Sequence, residues 1–146
     1  MNKSFYNYVC ITFILSACSN ISTPTTHAVT DNDLQGSWLI ETIDEKPVID
    51  RSPASITFTE DGRVSGNSSC NRLMSSYQLT KAVNGNNTKL HFSQAAGTMM
   101  MCSETLMNQE QRFLTALTKV SQAAIENNLL MLIDDNDQII FKASKK

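Results

Sequence analysis

The stretch Ala54-Ser55-Ile56-Thr57-Phe58-Thr59-Glu60-Asp61-Gly62-Arg63-Val64-Ser65-Gly66 decides the fold class. Ile56 and Phe58 alternate with Ser55, Thr57 and Thr59, the two-residue period of a strand with one buried face. Asp61-Gly62 supplies the residue types of a tight hairpin turn, so residues 63–66 are expected to return antiparallel. The same grammar extends in both directions. Residues 36–43 carry Trp38 and Ile40 on one parity. Residues 77–79 and 89–93 read as a second pair joined across Asn84-Gly85-Asn86-Asn87, with Leu90 and Phe92 inward. Residues 129–133 and 138–143 form a third hairpin over Asp134-Asp135-Asn136-Asp137.

One helix interrupts the strands. Across residues 104–120, Leu106, Phe113, Leu117 and Val120 fall on one helical face, and Met107 and Leu114 widen the stripe. Gln109, Gln111, Arg112 and Lys119 are expected to face water. Ser103 is a candidate N-cap, and Glu104 suits the positive end of the helix dipole. A helix packed on an antiparallel sheet makes an α+β domain. The chain has 146 residues, enough for one domain; 41% are hydrophobic, and only five are Gly and three Pro. These values exclude collagen-like, low-complexity or wholly disordered character. Twelve Lys and Arg against fourteen Asp and Glu give a net charge of -2 without a basic block, so no nucleic-acid partner is expected.

The N-terminus reads as an address. A polar leader with Lys3 precedes the apolar run Val9-Cys10-Ile11-Thr12-Phe13-Ile14-Leu15, far shorter than the ~20 apolar residues of a membrane-spanning helix but suited to the core of a secretory signal. Leu15-Ser16-Ala17-Cys18 resembles the bacterial lipobox. That resemblance implies a signal peptide at residues 1–17, cleavage before Cys18 and a lipidated Cys18 as the membrane anchor. Ser19 in place of Asp resembles the pattern sorted to the outer membrane, facing the periplasm. Residues 18–33, rich in Ser, Thr, Asn and Asp, read as a flexible tether in which His27 is solvated. The folded domain is placed at residues 34–146.

Within that domain, Gly36-x-Trp38, the 53–58 strand, Val64-Ser65-Gly66-Asn67-Ser68-Ser69-Cys70-Asn71-Arg72, Tyr77, Leu90-x-Phe92, Thr98-Met99-Met100-Met101-Cys102 and Glu110-x-x-Phe113 together resemble the META-domain family, which includes HslJ-like heat-shock lipoproteins. The resemblance spans about residues 34–143. Ser68-Ser69 stand where the family often has small residues or Gly, and Met74-Ser75-Ser76 replaces a Gly-containing turn. The resemblance implies a small antiparallel sheet curled into a partly open barrel with one packed helix. It implies roles in envelope stress and leaves mechanism open.

Cys70 and Cys102 are the cysteines left once Cys10 departs with the leader and Cys18 is acylated. In an oxidising compartment they are most simply a disulfide; the alternative is a free, reactive Cys102 beside three methionines. Met99, Met100 and Met101, with Met74 and Met107, raise a soft-metal reading for Cu(I), but neighbouring strand residues point to opposite faces and Met also fills irregular core gaps. No metal and no cofactor are therefore expected. His91 alternates with Leu90 and Phe92 and should face outward, out of reach of a nucleophile. Glu104 and Glu110 diverge around the helix, and the 134–137 turn lacks the Gly and distal Glu of a calcium loop. No enzymatic activity is expected. Asn71 and Arg72 are either a clamp on the barrel rim or a recognition point for a partner, since Arg can fork to a carboxylate. Three functions remain open: contacts with an envelope protein through an apolar groove beside the helix, carriage of a small apolar ligand within the barrel, and a thiol or copper sensor.

Overall fold

The computed structural model describes residues 28–81 and 88–146. The leader, Cys18, His27 and the Asn84-Gly85-Asn86-Asn87 turn lie outside the described residues. In chain order the elements are α1 (Asp31–Leu34), β1 (Gly36–Ile43), β2 (Lys46–Pro47), β3 (Ala54–Phe58), β4 (Arg63–Asn67), β5 (Arg72–Thr80), β6 (Thr88–Phe92), β7 (Ala96–Gly97), α2 (Glu104–Leu117), β8 (Gln122–Glu126), β9 (Leu129–Ile133) and β10 (Ile139–Lys145).

The β3–β4 hairpin forms as its sequence dictates, with Phe58 opposite Val64 and Ile56 opposite Gly66. Gly62 sits at φ +74° in the turn, where a Cβ is disfavoured. A Cβ on Gly66 would collide with the Ser55 carbonyl, so strands β3 and β4 can approach only with glycine there. The expected hairpins β5–β6 and β9–β10 are also present, and β5 begins earlier than residue 77, at Arg72.

The α+β curled barrel is what forms, and its ring is closed. Strands follow the order β10-β9-β8-β6-β5-β4-β3-β1, and β1 then pairs with β10. Trp38 lies opposite Lys145 and Ile40 opposite Ala143, and a register shift between Ile40 and Thr42 lets Ile43 join Trp38 and Ile40 in the core. Among the described residues, β6 and β8 pair through Thr88–Ala123 and Lys89–Gln122. Trp38, Ile56, Phe58, Leu90, Leu130, Leu132 and Phe141 fill the interior, as expected for a ring of about eight strands. Helix α2 contributes Phe113, stacked edge-on against Phe141 at 5.1 Å between centroids.

Three sequence expectations are corrected. Helix α2 stops at Leu117, and the residues beyond it form a strand, β8, that turns into β9 through Asn127 and Asn128 at φ 51° and 63°. This is the left-handed pair of a two-residue hairpin. The described part of the stretch read as a flexible tether is also structured. Val29 is buried, its carbonyl accepts a bond from Thr88 Oγ1 at 2.9 Å, and residues 31–34 make one helical turn. Finally, Gln109 does not face water: it is 1% exposed.

Candidate functional site

The β4–β5 connection holds a non-glycine residue at strongly positive φ. Ser69 adopts φ +113°, a conformation natural to glycine. Ser52 and Ser69 share a hydroxyl–hydroxyl bond of 2.7 Å. Ser68 donates both its N–H and its Oγ to the Asn71 carbonyl, each at 2.9 Å. The bend delivers Cys70 to Cys102, and the two form a disulfide with 5.9 Å between Cα atoms.

Asn71 sews the same segments together through its side chain. Its Oδ1 accepts from Met100 N at 2.7 Å and from Thr98 Oγ1 at 2.8 Å. Its Nδ2 donates to Met100 O at 3.2 Å and to Glu110 Oε2 at 3.0 Å. Both amide hydrogens and both lone pairs are thereby occupied, and the residue is buried. Asn71 joins the start of β5, the 98–100 segment and α2, and has no capacity left for a partner. Arg72 differs. Its backbone exchanges bonds with Thr98, but its side chain is exposed and forms no ion pair among the described residues. The two residues singled out as a recognition point thus divide into an internal clamp and a free guanidinium.

Between β5, the 95–101 segment and α2 lies a groove of about 500 Å³, bordered by Arg72, Leu73, Met99, Met100, Met101, Met107 and Leu114. Met99 is 98% exposed, Met101 92%, Met100 58% and Met107 44%. The methionines expected to fill core gaps around Cys102 are therefore on the surface. The groove lies at the start of β5. The other end of that strand is near the N-terminal entry of the domain, where Val29 and Thr30 share a hollow with Leu79 and Lys81. At the strand rise per residue these ends are roughly 26 Å apart.

On the helix side, Gln109 accepts from Ile49 N at 2.8 Å and donates to Ser52 O at 3.0 Å. It pins the loop between β2 and β3, which carries the hydroxyl that steadies Ser69. Its position four residues before Phe113 was the available signal, because that spacing puts both on one helical face. Ser103 occupies the N-cap position without a side-chain bond; its carbonyl receives Leu106 N and Met107 N. Arg112 Nε is buried without a hydrogen-bond partner among the described residues.

The remaining candidates stay apart from the groove's chemistry. His91 is exposed between buried Leu90 and Phe92. Glu110 is engaged by Asn71, whereas Glu104 is exposed at the helix start. Asp134 closes its own turn by accepting from Gln138 N at 2.9 Å and Asn136 N at 2.8 Å. Above all the Gln138 bond, and then the Asn136 bonds, hold its carboxyl below the usual carboxylate range. Core side chains line the interior of the ring.

No curated protein matches the chain. Among solved structures it is similar to an NMR structure of a protein from Burkholderia xenovorans (24% identity, TM-score 0.58, covering 80% of this chain and 86% of that one). A second NMR structure is similar at 28% identity, with TM-score 0.58 and coverage of 80% and 94%. A DUF4847 family protein from Bacteroides vulgatus shares the fold at 14% identity and TM-score 0.52, with 77% and 94% covered. The META domain model matches residues 32–146, which include every strand of the ring, the disulfide and the Asn71 clamp, and the chain accordingly belongs to the META domain family.

Proposed function

We propose that this protein is a non-enzymatic, lipid-anchored module of the bacterial envelope, held through Cys18 in the outer membrane and facing the periplasm. There it supports envelope integrity under stress through contact with another envelope protein. The observation that carries the reading is the methionine-bordered groove with the unpaired guanidinium of Arg72 at its rim. Flexible thioethers adapt to varied apolar surfaces, and Arg72 selects for a carboxylate. The occupant is therefore an apolar protein segment that carries an Asp or Glu. Two further features support the setting. The Leu15-Ser16-Ala17-Cys18 sequence resembles a lipobox, and the Cys70–Cys102 disulfide suits an oxidising compartment. The groove opens at the end of β5 away from the N-terminal entry, so an anchored chain would present it away from the tether.

The test has two arms in cells. Metabolic labelling with a palmitate analogue should mark the protein in the outer-membrane fraction, and Cys18→Ser should abolish the label. A photo-crosslinker at Met101 should give a discrete adduct that Arg72→Glu removes, while a crosslinker at exposed Lys142 gives none. An unlabelled, freely soluble protein would overturn the anchor, and an adduct indifferent to Arg72 would overturn the docking site.

A further inference from the structure

Met99 and Met101 have almost no contact with the rest of the fold, being 98% and 92% exposed. The backbone that carries them is nevertheless held firmly. Met100, between them, is bonded at both N and O to the buried Asn71 side chain, and Cys102 is bonded to Cys70. The segment is thus fixed along its main chain and open at its thioethers. Apolar side chains left in water at a fixed place need a reason other than packing. The chemistry peculiar to a thioether is acceptance of oxygen, with a susceptibility that follows exposure.

We propose that Met99 and Met101 form a reversible oxidation site at which a hypohalous acid converts both thioethers to sulfoxides, turning the groove border from apolar to polar. In each event the sulfur lone pair takes the halogen and the halogen–oxygen bond breaks to release hydroxide. Water then adds its oxygen to sulfur as halide and two protons leave, one of which neutralises the hydroxide. Sulfur loses two electrons and the halogen gains them, so thioether and hypohalous acid become sulfoxide, halide and one proton. Reversal needs a dithiol reductase, whose two thiols become a disulfide while the sulfoxide oxygen leaves as water.

The placement separates this chemistry from the fold. A polar sulfoxide inside a core disrupts packing, but neither Met99 nor Met101 belongs to the core, whereas Met131 is half-buried in β9. The consequence for partner binding rests on the docking reading above; the modification itself does not.

The experiment treats the folded full chain, carrying Cys10→Ser and Cys18→Ser so that no free thiol consumes the oxidant, with about two equivalents of hypochlorous acid, one for each thioether, then maps the oxygen gained by proteolysis and mass spectrometry. Met99 and Met101 should take up oxygen about tenfold faster than Met131 and ahead of Met74, with the thermal midpoint unchanged. Nile red bound by the untreated chain should be released on oxidation and recovered after treatment with a methionine sulfoxide reductase. Met99→Leu with Met101→Leu should keep the dye bound after the same treatment. Oxygen gained first or equally at Met74 or Met131, or unfolding on oxidation, would overturn the proposal. If the untreated chain takes up no dye, the docking reading fails, and the oxygen map alone decides the oxidation site.

Discussion

Asn71 and Met100 grip each other through both polar ends of one amide: Oδ1 accepts from Met100 N at 2.7 Å and Nδ2 donates to Met100 O at 3.2 Å. A side chain thereby supplies the two bonds that a neighbouring strand would otherwise provide, and the 98–100 segment lies alongside β5 without extending the sheet. Asn71→Ala leaves the Met100 N–H, the Met100 carbonyl and the Glu110 carboxylate without these partners. Stability should fall by about 2–3 kcal/mol, read as a lower urea midpoint, while the Cys70–Cys102 disulfide still forms.

Removing the disulfide acts on the unfolded chain. Closing a loop with a sequence separation of 32 residues restricts the denatured ensemble, and Cys70→Ser with Cys102→Ser should lower stability by roughly 3–4 kcal/mol. Equilibrium urea unfolding of the two proteins checks this. Equal midpoints would show that the Asn71 clamp alone sets the geometry.

Gln109→Leu keeps the volume of a buried side chain and deletes its polarity. Ile49 N and Ser52 O lose their partners, and about 2–3 kcal/mol of stability should go with them. Hydrogen exchange at Ile49 should accelerate more than exchange at Leu130 in β9, because the loss is local to the loop.

Ser69 holds φ +113° at a cost of order 1 kcal/mol that glycine avoids. Ser69→Gly also gives up the hydroxyl bond to Ser52, but that bond is partly exposed and contributes less than the backbone term. The variant should be more stable by a net of roughly 0.5 kcal/mol, seen as a small rise in thermal midpoint.

Asp134 ionises more readily folded than unfolded, because Gln138 N–H and then Asn136 donate to its carboxylate. A depressed folded pKa contributes stability above the unfolded pKa and loses it as pH falls through the folded value. Asp134→Asn should therefore be less stable than the parent near neutrality, and the gap should close in acid. Carboxyl-carbon NMR titration should give Asp134 a lower midpoint in the folded chain than in the same chain unfolded in urea.

Much of the fold was legible locally. The alternation at Ile56 and Phe58, the Asp61-Gly62 turn and the spacing of Phe113 and Leu117 each concern neighbours within about four residues, where strand and helix periods act. β8 was missed because Gln122-Ala123-Ala124-Ile125-Glu126 favours helix by composition, and only pairing with β9 overrides that preference. The buried turn before β1 escaped notice because a lone Val29 among polar residues has no period. At the site, the pairing of Cys70 with Cys102 was the simplest reading of two remaining cysteines. The outward display of the methionines and the saturation of Asn71 were not readable, because each depends on segments distant in the chain.

By itself the sequence determined the inward faces of β3 and β6, the β3–β4 and β9–β10 turns, helix α2 and the α+β class, because these follow from side-chain periods and turn chemistry between near neighbours. Tertiary structure alone decided that β1 meets β10 and closes the ring, that Gln109 turns inward, and that Asn71 becomes a clamp while Arg72 stays free. A polar group's role depends on which donor or acceptor reaches it. For Asn71 those partners lie 27 to 39 residues away, beyond the range of any local pattern.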